Sequence, residues 1–308
     1  IWDHLPRNLQ KKMFITLQTI LLYSNSVTFY GEVFNDTLQL QKKAIRIILN
    51  IIYDSQERNR IPIGIGITLQ DTTKELELDK TQNRFMSNIS HELRTPLFNI
   101  KSFIETIQEY DYSLSIWQKR YFLNIVNKET NRLTRLVNDI LCISKLDSIQ
   151  NVCLESIDLI ETFTQTKLNY QITARDKNLY LHSELIFNNL TVKGNKDLLL
   201  QVLTNLVGNA LKFTYGGGEI IIRAYQIGSF KKARLRVEIV DTGIGIIDNY
   251  QQEIFQRFYR IENNVHTLKG TGLGLSISKT ILLQHNTTIN VISRFNVGSI
   301  FWFDLLIG

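Results

Sequence analysis

Proline, methionine and cysteine are nearly missing from this 308-residue chain, at three, two and two residues. Cys142 and Cys153 offer neither a disulfide framework nor a metal-binding spacing, which excludes a cysteine-stapled secreted scaffold and fits a reducing compartment. Cys142, inside the apolar stretch DILCISKL, reads as a small buried hydrophobe. Scarce proline and methionine beside abundant isoleucine and asparagine point to AT-biased coding rather than to chemistry. No secretory signal is legible, and no long apolar run stands out. The most apolar early window, FITLQTILLYS (14–24), is broken by Gln and Thr and is too short to span a bilayer. The chain opens on Ile1 rather than Met, so a fragment is expected, with membrane attachment through segments upstream. A block of one charge is also missing: 35 basic and 29 acidic residues, net +6, are interspersed, which argues against direct nucleic-acid binding. What is present, 44% hydrophobic and 21% charged residues, is an ordinary globular composition with room for two to three domains.

Three regions follow from periodicity. Residues 1–74 read as a helix (Asn8 to Leu22) and strands at TFYGEVF, KKAIRIILNIIYD and IPIGIGITLQD, with ERNR as a polar connection. One helix and three strands make half of a sensory α/β module. Residues 75–150 read as two amphipathic helices joined by a turn at Asp111–Ser115. At about 100° per residue, Phe85, Ile89, Leu93, Pro96, Ile100, Phe103, Ile104 and Ile107 form one stripe. His91, Thr95 and Phe98 fall opposite it and face water, and Pro96 is expected to kink the helix. Such a hairpin cannot bury its stripe alone, so pairing into a dimeric four-helix bundle is expected. Residues 151–308 read as an α+β layer with helices on one face of a mixed sheet. Its expected elements are strands at LYLHSEL, IFNNLTVKG, EIIIRAY, RLRVEIV, TTINVIS and SIFWFDLLI and helices at 196–213, 249–258 and 271–285.

Four motifs carry chemistry, in the order SNISHELRTPL, NLVGNALKFT, DTGIGI and GTGLGL. On the helix 196–213, Asn205, Asn209 and Lys212 share a face. An asparagine carbonyl suits Mg2+, which takes hard oxygen ligands, and a lysine neutralises phosphate. Asp241 ends the strand RLRVEIV and is placed to accept from the exocyclic amine of adenine, with Gly243 and Gly245 allowing close backbone approach. Gly270, Gly272 and Gly274 precede a helix whose N-terminus favours anions. EIFQRFYR (253–260) sits before a lid at about 261–269, and Arg260 is a candidate for the γ-phosphate. A solvent-facing histidine is a nucleophile in its neutral form. Glu92 beside His91 is expected to hydrogen-bond the other ring nitrogen and take its proton, and Thr95 to position a water for the reverse hydrolysis. Phe98, apolar on the exposed face, marks a docking surface.

These residues resemble the sensor histidine kinases of two-component signalling. SHELRTP is similar to their H box, NLVGNALKFT to the N box, DTGIGI to the G1 box, EIFQRFYR to the F box and GTGLGL to the G2 box. The wider strings SHELRTPLFNIKSFIETIQEY and ETNRLTRLVNDIL are similar to the plastid-encoded and cyanobacterial stress-sensing kinases. The resemblance implies a multidomain α+β protein. It would comprise the C-terminal part of a PAS-like domain (1–74), a dimerisation and phosphoacceptor hairpin (75–150), and an ATP-binding α/β sandwich of the histidine-kinase/Hsp90/gyrase type (151–308). It implies ATP and Mg2+ as cofactors, a homodimer, and transfer from His91 to an aspartate of a response-regulator receiver domain. Glu92 would be the acid/base, Asn209 the magnesium ligand and Asp241 the adenine acceptor, with Gly243, Gly245, Gly272 and Gly274 on the nucleotide. Location would be a plastid membrane with the kinase part in the stroma, or the cytoplasmic side of a bacterial membrane.

Overall fold

The computed structural model describes residues 7, 11, 14–15, 32–40, 43–53, 62–148, 152–186, 191–228, 233–261 and 270–307. The expected helix Asn8–Leu22, the ERNR connection and the 261–269 lid lie wholly or largely outside them. The chain divides into two compact units, Ile1–Ser87 and Asn88–Gly308.

The first unit holds an antiparallel sheet of β1 (Glu32–Leu40), β2 (Lys43–Tyr53) and β3 (Pro62–Asp71), in that order. Of the strand expected at TFYGEVF, Glu32–Phe34 are described, and β1 runs on through NDTLQL, its pairing with β2 closing at Leu40 and Lys43. Ala44 and Ile47 of β2 are buried. At the end of β3 the Thr73 amide donates to Asp71 Oδ1 (3.0 Å), Thr73 Oγ1 accepts from the Ala44 amide (3.0 Å), and the buried Thr72 pairs with the Ala44 carbonyl (2.8 Å). The helix that starts there is therefore knitted to the middle strand. Hydrogen bonding from Thr73 also holds the Asp71 carboxyl below its usual range.

That helix, α1 (Thr73–Glu109), continues through Pro96. Ile89 and Pro96 are its buried residues, Phe85, Leu93, Ile100, Phe103 and Ile107 are half-buried, and His91, Thr95 and Phe98 are exposed. The turn to α2 (Ile116–Ser148) ends in a capping box: Gln118 Oε1 accepts from the Ser115 amide (2.9 Å), and Ser115 Oγ from the Gln118 amide (3.3 Å). Phe103 of α1 packs on Phe122 of α2 with ring centroids 5.4 Å apart.

The rest of the second unit is a five-stranded sheet, ordered β5 (Tyr180–Ile186), β7 (Glu219–Ile227), β8 (Arg234–Asp241), β10 (Gly298–Leu306) and β9 (Asn290–Arg294). The β5–β7 pair is parallel and the others antiparallel. A two-stranded sheet of β4 (Glu155–Asp158) and β6 (Thr191–Gly194) flanks it. Three helices cover the sheet's apolar face: α3 (Leu159–Asp176), α4 (Lys196–Phe213) and α5 (Gly274–Gln284). Ile220, Ile222 and Ala224 of β7, Leu235, Val237 and Ile239 of β8 and Phe301, Phe303 and Leu305 of β10 alternate into that core. Leu199, Val202, Leu203, Leu206 and Ala210 of α4 meet them, as their spacing predicts. The opposite face carries ion pairs, Arg223 with Glu184 (2.7 Å) and Arg236 with Asp304 (2.8 Å).

Three expectations change. Helix α3 and strand β4 are additional to the expected elements. The helix expected at 249–258 is two single 3-10 turns, Asp248–Tyr250 and Glu253–Phe255. The helix expected from 271 begins at Gly274, because the preceding GTGL segment is held as a loop by Gly272 at φ 71°.

Candidate active site

The C-terminal end of α4, the end of β8 and the start of α5 converge. Asp241 is the last residue of β8 and is buried, with Oδ1 accepting from the Gly243 amide at 2.9 Å. Burial pushes its carboxyl up to about 6, against the lowering effect of backbone amides from Gly243 and Ser299. The loop after it is threaded between two backbones. Ile244 donates to the Phe213 carbonyl (3.1 Å) and accepts from Asn296 (2.7 Å), while the Ile246 amide reaches Ser293 Oγ (2.7 Å). A Cβ at Gly243 would lie 2.6 Å from the Phe213 carbonyl oxygen and 2.8 Å from Asp241 Oδ1. At Gly245, where φ is +67°, it would lie 2.0 Å from the Arg294 carbonyl oxygen. Only glycine keeps backbone this close to the carboxylate.

Lys212 sits near the C-terminal end of α4, half-buried, its Nζ 4.6 Å from the Phe213 ring centroid. Burial, then the charges of Arg260 and Lys177, lower its ammonium to about 8. Three cations thus converge where an anion would relieve both the repulsion and the desolvation. A Cβ at Gly270 would come within 2.8 Å of Lys212 Nζ, so the glycine loop lies directly over the lysine. Gly272 packs on the backbone of Phe258, whose amide donates to the Gly272 carbonyl (3.0 Å). Among the described residues helix α5 then starts without a side-chain cap at Leu273.

Asn205 and Asn209 part company. Asn205 Nδ2 donates to the Gly274 carbonyl (3.1 Å) and Ser278 Oγ (3.4 Å), tying α4 to the first turn of α5. Asn209, half-buried one turn on, makes no such side-chain hydrogen bond among the described residues. Among the described residues no three His, Cys, Asp or Glu side chains cluster as a metal cage. Tyr170 went unnoticed in the sequence: its hydroxyl donates to the Thr204 carbonyl (3.0 Å), where a Cβ at Gly208 would lie 3.0 Å away.

On the hairpin, the His91 ring is exposed and has no hydrogen-bond partner among the described residues, and Thr95 Oγ1 donates to the His91 carbonyl (3.3 Å). The expected Glu92–His91 hydrogen bond is not formed. Neighbours in a helix diverge by about 100°, and Glu92 turns toward α2, where Arg132 Nη2 donates to its Oε2 at 2.9 Å. Arg260 Nη1 lies 3.9 Å from Glu92 Oε1. The hairpin also holds the nucleotide lobe directly. Asp139 accepts from Thr271 Oγ1 (3.0 Å), both Asp147 oxygens accept from Arg257 (2.8 and 2.9 Å), and the Leu146 carbonyl accepts from Gln284 (2.7 Å).

A buried carboxylate beside glycine loops, a cation cluster and an exposed histidine on a separate hairpin define a phosphoacceptor domain coupled to a nucleotide-binding domain. Residues 81–149 match the His Kinase A (phospho-acceptor) domain, and residues 194–307 match the histidine kinase-, DNA gyrase B- and HSP90-like ATPase family. The chain belongs to the sensor histidine kinases. It is 46% identical over 319 aligned residues to the uncharacterized sensor-like histidine kinase ycf26 of Pyropia yezoensis, covering 100% of this chain and 48% of that protein. It is 48% identical over 287 residues to Drug sensory protein A of Synechocystis sp., covering 91% of this chain and 43% of that protein. The chain therefore spans about half the length of these relatives. Its fold is shared with the histidine kinase ThkA in a crystal structure with the response regulator protein TrrA, at TM-score 0.58 and 22% identity over 96% of this chain and 83% of that one.

Proposed function

We propose that this chain is the kinase portion of a sensor that phosphorylates His91 with ATP and passes the phosphoryl group to an aspartate of a response regulator. The observation that carries the reading is the pairing of a solvent-facing histidine with a lobe whose buried Asp241, glycine loops and Lys212–Arg260 cluster fit a nucleotide triphosphate from base to phosphates. Asp241 accepts from the adenine amine, and a guanine carbonyl there would meet a second acceptor. Gly270, Gly272, Gly274 and the start of α5 face the phosphates, and Lys212 and Arg260 offset their charge. Asn209 would hold Mg2+, and the ion would supply charge neutralisation at the transferring group.

The lone pair of a His91 ring nitrogen bonds the γ-phosphorus as the bond to the bridging oxygen breaks and ADP leaves with that electron pair. The imidazolium so formed gives its other N–H proton to Glu92. Thr95 positions a water for the reverse direction, hydrolysis of the phosphorylated partner, once it turns from its own helix. The half-buried stripe of α1 fits a homodimeric four-helix bundle. The sheet β1–β3 and its knitted exit into α1 fit the C-terminal half of a PAS-like sensor domain spanning 1–74. The plastid and cyanobacterial relatives favour a plastid membrane, reached through segments upstream, with the kinase part in the stroma. Among the described residues no helix is long and apolar enough to cross a membrane.

Incubation with γ-labelled ATP and Mg2+ tests the reading. An acid-labile, base-stable label that is lost in His91→Gln and chases to a receiver domain is expected. A chain that binds Mg·ATP and never carries that label would sink it.

A further inference from the structure

We propose that Arg132 is a positioning residue for phosphoryl transfer, holding Glu92 beside the phosphoacceptor so that one carboxylate oxygen stays free to take the imidazole proton. The proposal rests on the kinase reading above and extends it to a residue of the second helix. Glu92 needs an external guide, because adjacent side chains on a helix point about 100° apart and His91 cannot orient it. Arg132 reaches across from α2, with Nη2 at 2.9 Å from Glu92 Oε2. Its Nη1 lies 3.6 Å from Oε2 of Glu129, one turn earlier on the same helix and only 3% exposed.

The guanidinium is thus braced from below by a buried carboxylate and presents its other edge to Glu92, a use that suits a planar, multi-donor cation and not an ammonium. Side chains of Arg132 and Glu92 are about one-fifth exposed, so the pair is shielded more than an ordinary surface ion pair of small worth. Glu92 Oε2 is occupied by this bond. Among the described residues Oε1 has Arg260 at 3.9 Å, too far for a hydrogen bond, and is the oxygen left to accept a proton. Glu92 and the His91 ring do not touch in this structure. The proposal requires Oε1 to turn toward the ring while Oε2 keeps its bond to Arg132. Atoms balance in this step. The proton leaving the phosphorylated imidazolium ends on Glu92, and the guanidinium only steers.

The competing reading is that Arg132 merely staples the two helices. Both are separated in the whole chain by labelling kinetics. Arg132→Met should lower the rate constant for His91 labelling at saturating Mg·ATP by about tenfold or more, part of the 10²–10⁴ that general acid–base help supplies. The half-saturating ATP concentration should stay within about twofold, since no nucleotide contact is removed. Arg132→Lys, which keeps one donor, should recover part of the rate. Glu129→Gln, which loosens the brace, should give a smaller loss of the same kind. In a Glu92→Gln background, Arg132→Met should cost less than about twofold, because the two residues act as a unit. An unchanged rate in Arg132→Met, or a loss that is undiminished in the Glu92→Gln background, overturns the proposal. So does a loss that tracks the urea midpoints of the variants. Absence of label on the unaltered chain would sink the kinase reading itself, and this proposal with it.

Discussion

Asp241→Asn should stabilise the free protein at neutral pH while abolishing ATP binding. The carboxyl is buried and its midpoint lies at about 6, against 3.8 for an ordinary aspartate. The folded state therefore holds the proton more tightly than the unfolded chain does, and ionising the group costs stability. That cost is absent well below pH 3.8, grows through the interval up to about 6, and is complete above it. A displacement of about two units corresponds to about 3 kcal/mol at 1.36 kcal/mol per unit. About 2 kcal/mol of it develops between pH 4.5 and pH 7.5. An asparagine cannot ionise and keeps an oxygen for the Gly243 amide. Urea titrations of both chains at the two pH values should show the variant's relative stability rising by about 2 kcal/mol from the lower to the higher. Any fixed effect of mispairing the new amide cancels in that subtraction. A stability offset that does not move with pH would refute the reasoning. The same variant should bind no ATP by calorimetry at pH 7.5, because the new amide no longer guarantees an acceptor for adenine.

Phe98 is 69% exposed on the His91 face, and Phe98→Ala should slow transfer to the receiver domain by about 5- to 30-fold, a hot-spot loss of 1–2 kcal/mol. Its autophosphorylation should be unchanged, and an equal loss of both activities would count against a docking role. Gly245→Ala should cost more than about 2 kcal/mol by urea unfolding, combining a positive φ with a backbone clash. His285 is buried and neutral, its Nε2 accepting from the Asn195 amide (3.0 Å), and burial lowers its ionisation midpoint. The unfolded chain takes up this proton first, so stability is whole above pH 6.5 and falls below it by at most about 1.4 kcal/mol per unit. His285→Gln should flatten that slope.

The nucleotide motifs were legible because each is contiguous and its glycines answer to backbone contacts set by nearby residues. Helix α4 was legible because its buried face is aliphatic. Helix α3 was not, since its buried face includes Thr162 and Thr166 beside Leu159 and Phe163, which blurs the apolar period. Thr166 satisfies its hydroxyl on the Thr162 carbonyl (2.8 Å) and so tolerates the interior. The partner of Glu92 was equally hidden. Arg132 is 40 positions away, and nothing in ETNRLTRLVNDIL distinguishes it from a solvated arginine until the two helices are laid side by side. Docking contacts such as Thr271 to Asp139 depend on how the lobe meets α2, which no local pattern encodes.

One such contact bears on which protomer's histidine a bound ATP would reach. Arg260 lowers the ammonium of Lys212 by its charge, so the two cations lie near each other. In the same chain its guanidinium stands 3.9 Å from the carboxylate next to His91. On the proposed function a single side chain then links the phosphates to the acceptor turn of its own chain, which predicts transfer within one protomer. Heterodimers of a His91→Gln protomer and an Asp241→Asn protomer separate the two routes. One member cannot accept phosphate and the other cannot bind ATP, so transfer within a protomer predicts no label above that of either mutant homodimer. Transfer between protomers predicts label on His91 of the Asp241→Asn protomer. Its appearance would refute the reading of the Arg260 contact, leaving the bond from Arg132 to Glu92 untouched.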